Sequence, residues 1–201
     1  MNFGWADAKE SLPGKEWKCG HCGNIVAGTT GYSKAESSGY KRIYICPKCN
    51  KPTYFEETPV ACFHGYDYIR CQIPNSPYGN EVEFIPEIIA DLYKEIRKCI
   101  QYGAYTSAVL SMRKLLMHIA VEHGADDDLS FAKYVDYLEE SHWIPPNGRE
   151  WVDSIRKKGN EATHEIVLMS EHDAKQLFDF IEMLLKFMYE FPGKHDESKN
   201  D

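Results

Sequence analysis

The chain has 201 residues, 43% of them hydrophobic, with 13 Tyr, 9 Phe and 4 Trp. That suffices for one domain of ordinary size plus a small appendage, and it excludes wholesale disorder. No run approaches the roughly 20 apolar residues a membrane span needs, so no membrane partner is expected. The N-terminus, MNFGWADAKESLPGKEW, lacks a basic-then-apolar signal pattern. Seven cysteines, an odd number, suit thiols or metal ligands in a reducing cytoplasm better than disulfides. The formal net charge of -8 is unevenly spread: residues 1–58 carry 8 Lys/Arg against 6 Asp/Glu, so the excess acid lies in the remainder. That remainder is not expected to attract nucleic acid through a general basic surface.

Residues 1–60 are rich in Gly, Lys, Cys and Tyr and show no amphipathic helical period. The short apolar runs NIVAG and RIYIC predict strands, and the polar TTGYSKAESSGYK between them predicts a flexible hairpin loop. Residues 61–85 contain QIPNSPYGNEVEF, whose turn-formers predict a linker or an irregular segment packed on the next domain. At Pro86 the period changes. Ile88, Ile89, Leu92, Tyr93, Ile96 and Ile100 recur at helical spacing, with Pro86 suited to a first turn, Glu87 near the positive dipole end and Gly103 as the stop. A second stripe, Ala108, Val109, Met112, Leu115, Leu116, Ile119 and Ala120, ends at Gly124. Phe131, Tyr134, Val135 and Leu138 predict a third helix, broken by IPPNG, and a fourth is expected from Arg149, including Trp151 and Ile155. The last helix starts at Ser170-x-x-Asp173, carries Ala174, Leu177, Phe178, Ile181, Leu184, Leu185 and Met188, and is expected to stop at Phe191-Pro192-Gly193. Residues 193–201 then read as a loose tail. The expected fold is mainly α: a bundle of five helices over residues 86–192 behind a small β-rich module at 1–60.

WKCGHCGN and YICPKCNK each hold a C-x-x-C, at Cys19/Cys22 and Cys46/Cys49, with 23 residues between the pairs. Two such knuckles can converge on one tetrahedral Zn²⁺. A redox dithiol would normally open a helix beside a strand, whereas Gly, Pro and Asn surround these pairs. A module this small buries little core, so metal binding and folding are expected to be coupled. With all four ligands from protein, the Zn²⁺ would be structural. His21, inside the first knuckle, is expected to be exposed rather than ligating. Cys62, Cys71 and Cys99 read as buried or free thiols.

The stretch SIRKKGNEATHEI, residues 154–166, is the second candidate. If a helix runs through Gly159, Arg156, Asn160 and His164 recur at i, i+4, i+8 and share a face, each about 6 Å from the next. Such a row can grip a phosphate: Arg binds it bidentately, Asn donates, and His moves a proton near neutral pH. The alternative stays open. Arg and Lys before a helix end favour its negative dipole terminus, Gly-Asn is a common stop, and His164 can simply bond a carbonyl. Arg113 interrupts the apolar second helix and is expected to pair inward with Glu165 or another acid.

YGAYTSAVLSMRKLLMHIA, the Trp151–IRKKGNEATHE stretch and the final YEFP together resemble the bacterial family known as domain of unknown function 4145, over about residues 85–192. That family is similar to the HEPN helical superfamily, and an N-terminal zinc ribbon is compatible with its members. The resemblance implies a five-helix HEPN-like bundle that dimerises through its late helices. It also implies an interaction or nucleic-acid-associated module with an RNA or protein partner, in phage defence or stress response. Active HEPN RNases carry R-N-x-x-x-H motifs. Asn160 and His164 match that pattern, Gly159 stands at the Arg position, and Lys158 is the nearest cation. Two alternatives follow: a metal-independent RNase using His164 with Arg156 or Lys158, and a nucleotide-binding regulator holding phosphates with the same residues.

Overall fold

The computed structural model describes residues 11–58, 68–144 and 168–199. The chain divides into two compact units, Met1–Pro77 and Tyr78–Asp201.

Among the described residues the first unit is all β. Strands β1 (Lys15–Lys18) and β2 (Ile25–Gly28) form a two-stranded antiparallel sheet. Strands β3 (Gly31–Glu36), β4 (Gly39–Ile45), β5 (Pro52–Thr58) and β6 (Tyr68–Ile73) form a second, in the order β3-β4-β5-β6 and antiparallel throughout. Side-chain alternation sends Tyr44 and Phe55 inward, where they meet Trp17 in a ring cluster with centroids 5.6 to 6.0 Å apart. Leu12 and Val26 complete this small core. Glu57, almost fully buried beside it, receives both the Lys15 ammonium and the Arg42 guanidinium.

Two expectations for this half are corrected. The stretch TTGYSKAESSGYK is not a free loop, because Gly31–Glu36 pairs with Gly39–Ile45 along its whole length. β3 is an edge strand, and an edge strand can be polar because few of its side chains need burial. The linker expected at 61–85 in fact supplies β6 at Tyr68–Ile73, and the ribbon unit runs to Pro77 rather than stopping at residue 60.

The second unit has four helices among the described residues: α1 (Glu87–Gln101), α2 (Tyr105–Glu122), α3 (Phe131–Glu140) and α4 (Glu171–Leu185). α4 runs on through a π turn (Lys186–Glu190) into a final α-helical segment, Phe191–Glu197. A mainly-α five-helix bundle is therefore not what the chain forms. Among the described residues, four helices accompany six strands in two antiparallel sheets. The physical cause is the first 77 residues, whose short alternating runs and Gly turns yield sheet well beyond the expected module.

The helix starts and stops follow local chemistry. Pro86 sits at the N-cap of α1, Ser130 caps α3, and Ser170 with Asp173 forms a reciprocal capping box on α4. Three helices end in one motif. Ala104 N–H donates to the Cys99 carbonyl, Ala125 to Ala120 and Trp143 to Leu138, with a left-handed residue just before each donor. Those residues are Gly103, Gly124 and His142. The expected stop at Phe191-Pro192-Gly193 is corrected. Phe191 N–H reaches back to the Lys186 carbonyl, so the π turn shifts the bonding register and Pro192 enters at the start of a new segment. Gly193 leaves room for Phe84, whose ring occupies the space a Cβ would need.

Ile89, Tyr93, Ile96 and Ile100 of α1, the predicted stripe of α2 and the inner face of α4 form one apolar core. Residues 78–85 are strapped across α1 and α4. The Asn80 backbone N–H and amide both donate to the Glu182 carboxylate, at 2.7 and 2.8 Å, and Arg97 donates to the carbonyls of Tyr78 and Gly79. Burial alone would raise the pKa of Glu182, but the Lys186 ammonium and the Asn80 donors outweigh it and hold the carboxyl below its usual range.

Two outcomes are expected. Glu182→Gln lowers stability by about 1–3 kcal/mol in urea titrations near neutral pH. Because the folded pKa is depressed, this difference is complete above the ordinary glutamate value of about 4.3 and shrinks as pH falls through the lower folded value. His142→Gly, which relieves a left-handed backbone on an exposed residue, raises stability by about 0.5–1 kcal/mol in the same assay.

Candidate functional site

Each cysteine pair sits in the turn of a hairpin, the first between β1 and β2 and the second between β4 and β5. The two turns are built alike. Gly23 N–H donates to the Cys19 carbonyl and Asn50 N–H to the Cys46 carbonyl, both at 2.9 Å. Cys19 N–H and Cys46 N–H close the turns from the other side, on Asn24 and Lys51. The residue after each second cysteine, Gly23 or Asn50, is left-handed at φ 70° or 55°. Glycine and asparagine are the residues that tolerate this best, so the backbone aims both thiols of each pair the same way. Lys48 Nζ bonds Asn24 Oδ1 at 2.7 Å and links the two knuckles.

The four thiol sulfurs lie within 4.8 Å of one another, the one such metal-ligand cluster among the described residues. Cys19 Sγ is 3.8 Å from Cys49 Sγ, and Cys22 Sγ is 3.9 Å from Cys46 Sγ. Sulfurs around a tetrahedral ion at S–metal distances near 2.3 Å stand about 3.8 Å apart, whereas a disulfide needs about 2.05 Å. The cluster therefore fits a metal ion. Cys19 and Cys46 are fully buried against Trp17, Tyr44 and Phe55. Burial raises the Cys19 thiol, and it also raises Cys49, which the neighbouring thiols help push to about 12. Burial opposes ionisation of Cys22 too, but the Asn24 donors and its partner thiols overcome this and bring it down to about 6. One thiol is ready to ionise, and two resist unless positive charge arrives among them. Four protein ligands close the coordination sphere.

The surroundings are tailored to this centre. His21 N–H points at Cys19 Sγ at 3.4 Å, while its ring contacts the Pro52 carbonyl and stays out of the cluster, as expected. A side chain on Gly20 would collide with the carbonyls of Pro74 and Asn75, so the chain leaving β6 lies directly over the first knuckle. Gln72 ties it there by donating to the Lys18 carbonyl at 2.8 Å. Sequence reasoning singled out the four cysteines but not Asn24, Asn50 or Gln72. A Gly or Asn following each C-x-x-C was the available signal for the left-handed turns.

The other candidates fare differently. Arg156, Lys158, Asn160, His164 and Glu165 lie outside the described residues, as do Cys62 and the helix expected from Arg149. Arg113 is half-buried with its guanidinium 4.4 Å over the Phe131 ring, and burial lowers its pKa. Cys71 and Cys99 are half-buried thiols raised by burial, and neither belongs to the cluster. No described helix is long and apolar enough to cross a membrane.

Residues 94–201 match the sequence profile of a family described as Domain of unknown function (DUF4145). No curated protein and no solved structure matches the chain.

Stripping metal from the full chain with a strong chelator is expected to leave residues 15–58 unprotected in hydrogen exchange while α1 and α2 stay protected. Cys46→Ser is expected to give the same split pattern without chelator. Uniform protection after metal removal would contradict the coupling of metal to fold.

Proposed function

The chain belongs to the family Domain of unknown function (DUF4145), and from that premise we propose that it is a binding module whose β unit is a ribbon stapled by structural Zn²⁺ and whose partner is single-stranded RNA. The geometry of the four sulfurs supports the zinc assignment: a closed tetrahedral set of thiolates is typical of structural zinc. When bound, the ion supplies cross-linking and charge, not an open coordination position. Cys19, Cys22, Cys46 and Cys49 would hold it.

The observation that carries the binding reading is on the larger sheet. Tyr44 and Phe55 point into the core, so their neighbours Ile43 and Tyr54 point to the opposite face. Strand register sets Tyr32, Ile43, Tyr54 and Ile73 in one row across all four strands. Tyr32, Ile43 and Tyr54 are half-exposed and Ile73 more so. Lys34 and Lys41 form the next row, where both pair with Glu36. Tyrosines on a sheet face offer stacking platforms for unpaired bases, with lysines beside them for phosphate. Four thiolates and one Zn²⁺ leave the ribbon near neutral, so stacking rather than net charge supports the reading.

Fluorescence anisotropy with a labelled single-stranded RNA tests it. Uncleaved RNA is expected to bind, with affinity falling about tenfold in Tyr54→Ala and falling with salt by the shallow slope of about one or two phosphate contacts. Absence of binding overturns the proposal. Metal-independent cleavage that disappears in His164→Ala would replace it with the RNase reading, in which His164 acts with Arg156 or Lys158.

A further inference from the structure

Among the described residues, the first helical hairpin has one face that no other element covers. α1 and α2, joined by residues 102–104, run antiparallel and flank a groove of about 400 Å³. Its floor is Ile89, Leu92 and Leu115. Its walls differ in charge: Asp91 and Glu95 stand on α1, and Lys114 stands on α2 beside His118. All four are exposed, and none forms an ion pair with another described residue. Ile88, at one end of the groove, is 68% exposed, although the helical period would place it in the core stripe. Leu110, one turn before Lys114 on the same stripe of α2, is 48% exposed. An apolar floor with exposed aliphatic edges is a surface that gains from being covered.

The charge pattern says by what. The groove holds both halves of a complementary pair, an acidic wall and a basic wall on either side of one floor, so it is complementary to itself. Consider two copies face to face. A two-fold axis parallel to the helices lays α1 of each copy over α2 of the other. Asp91 and Glu95 then meet Lys114 and His118 of the second copy, and symmetry makes the contact twice. A two-fold across the helices would lay α1 on α1, acid against acid and base against base. We propose that the α1–α2 groove is a self-docking surface at which two copies of this chain associate about an axis parallel to the helices. The inference rests on the helical unit alone and is independent of zinc and RNA binding by the ribbon.

Sedimentation of the full chain over a dilution series tests it. The wild-type chain is expected to pass from monomer to dimer with concentration, and the dimer to weaken as salt is raised. Glu95→Lys and Lys114→Glu, both on exposed positions, are each expected to raise the dimer dissociation constant about tenfold or more, since each reversal creates two like-charge contacts. Mixing the two variants in equal amounts is expected to restore association, because the reversed positions 95 and 114 then face each other with opposite charge, as do the unchanged Lys114 and Glu95. Ile88→Asp weakens the dimer without lowering the melting temperature of the diluted protein. A chain that stays monomeric at every concentration overturns the proposal. So does a dimer that ignores both reversals, or a mixture that stays dissociated. Loss of the dimer in Phe191→Asp, with the reversals silent, would instead place the contact on the last helix, where Phe187 and Phe191 are exposed.

Discussion

Four thiol sulfurs held within 4.8 Å of one another cannot all ionise unless a cation stands among them. The β unit is organised around that constraint. Its apolar core is little more than Leu12, Trp17, Val26, Tyr44 and Phe55 packed on Cys19 and Cys46, too small to hold two sheets together on burial alone. The knuckles lie at the tips of hairpins from different sheets, so an ion bridging them would fasten the two-stranded sheet to the four-stranded one. Register then follows. Gly23 and Asn50 fix the turns, the turns fix which residues of β4 and β5 face inward, and the opposite face is left with Tyr32, Ile43, Tyr54 and Ile73. Cysteine cluster, fold and candidate binding face are one chain of causes.

The helical unit uses a different anchor. Burying the Glu182 carboxylate would cost free energy if it were alone, but Asn80, Tyr93 and Lys186 supply the donors and countercharge it needs. The same contacts strap residues 78–85 across α1 and α4, and the Tyr93 ring stacks on Phe178 at 5.2 Å beside them. Farther along, Glu190 accepts from Glu83 N–H and pairs with Lys194, which fastens the strap to the segment beyond the π turn. The π turn thus continues a helix past Pro192, and it also places Glu190 where the strap can reach it.

Association through α1 and α2 would give the exposed edge of this unit a purpose that folding does not. Ile88 lies in the helical period of the core stripe yet faces solvent, while Ile89, beside it, is sealed. A stripe wider than the core it serves would suit a second apolar neighbour such as the docked copy.

Local chemistry was legible in the residues themselves. The paired C-x-x-C motifs with their following Gly or Asn, the Ser170–Asp173 box, the Gly103 and Gly124 stops and the buried stripes of α1 to α4 are set by interactions within a few positions, which spacing and residue type reveal. The site expected at Arg156 to His164 was legible only as a pattern, because whether those side chains share a pocket depends on partners distant in sequence. Tertiary structure alone decided that a polar stretch becomes an edge strand, that β6 completes the sheet and covers a knuckle, that a helix survives Pro192 by changing its bonding register, and that Ile88 and Ile89 part company. Each of these outcomes is a long-range one. A strand needs its neighbour's backbone groups, and a side chain is buried only by what another part of the chain lays over it, neither of which leaves a mark in the local run of residues.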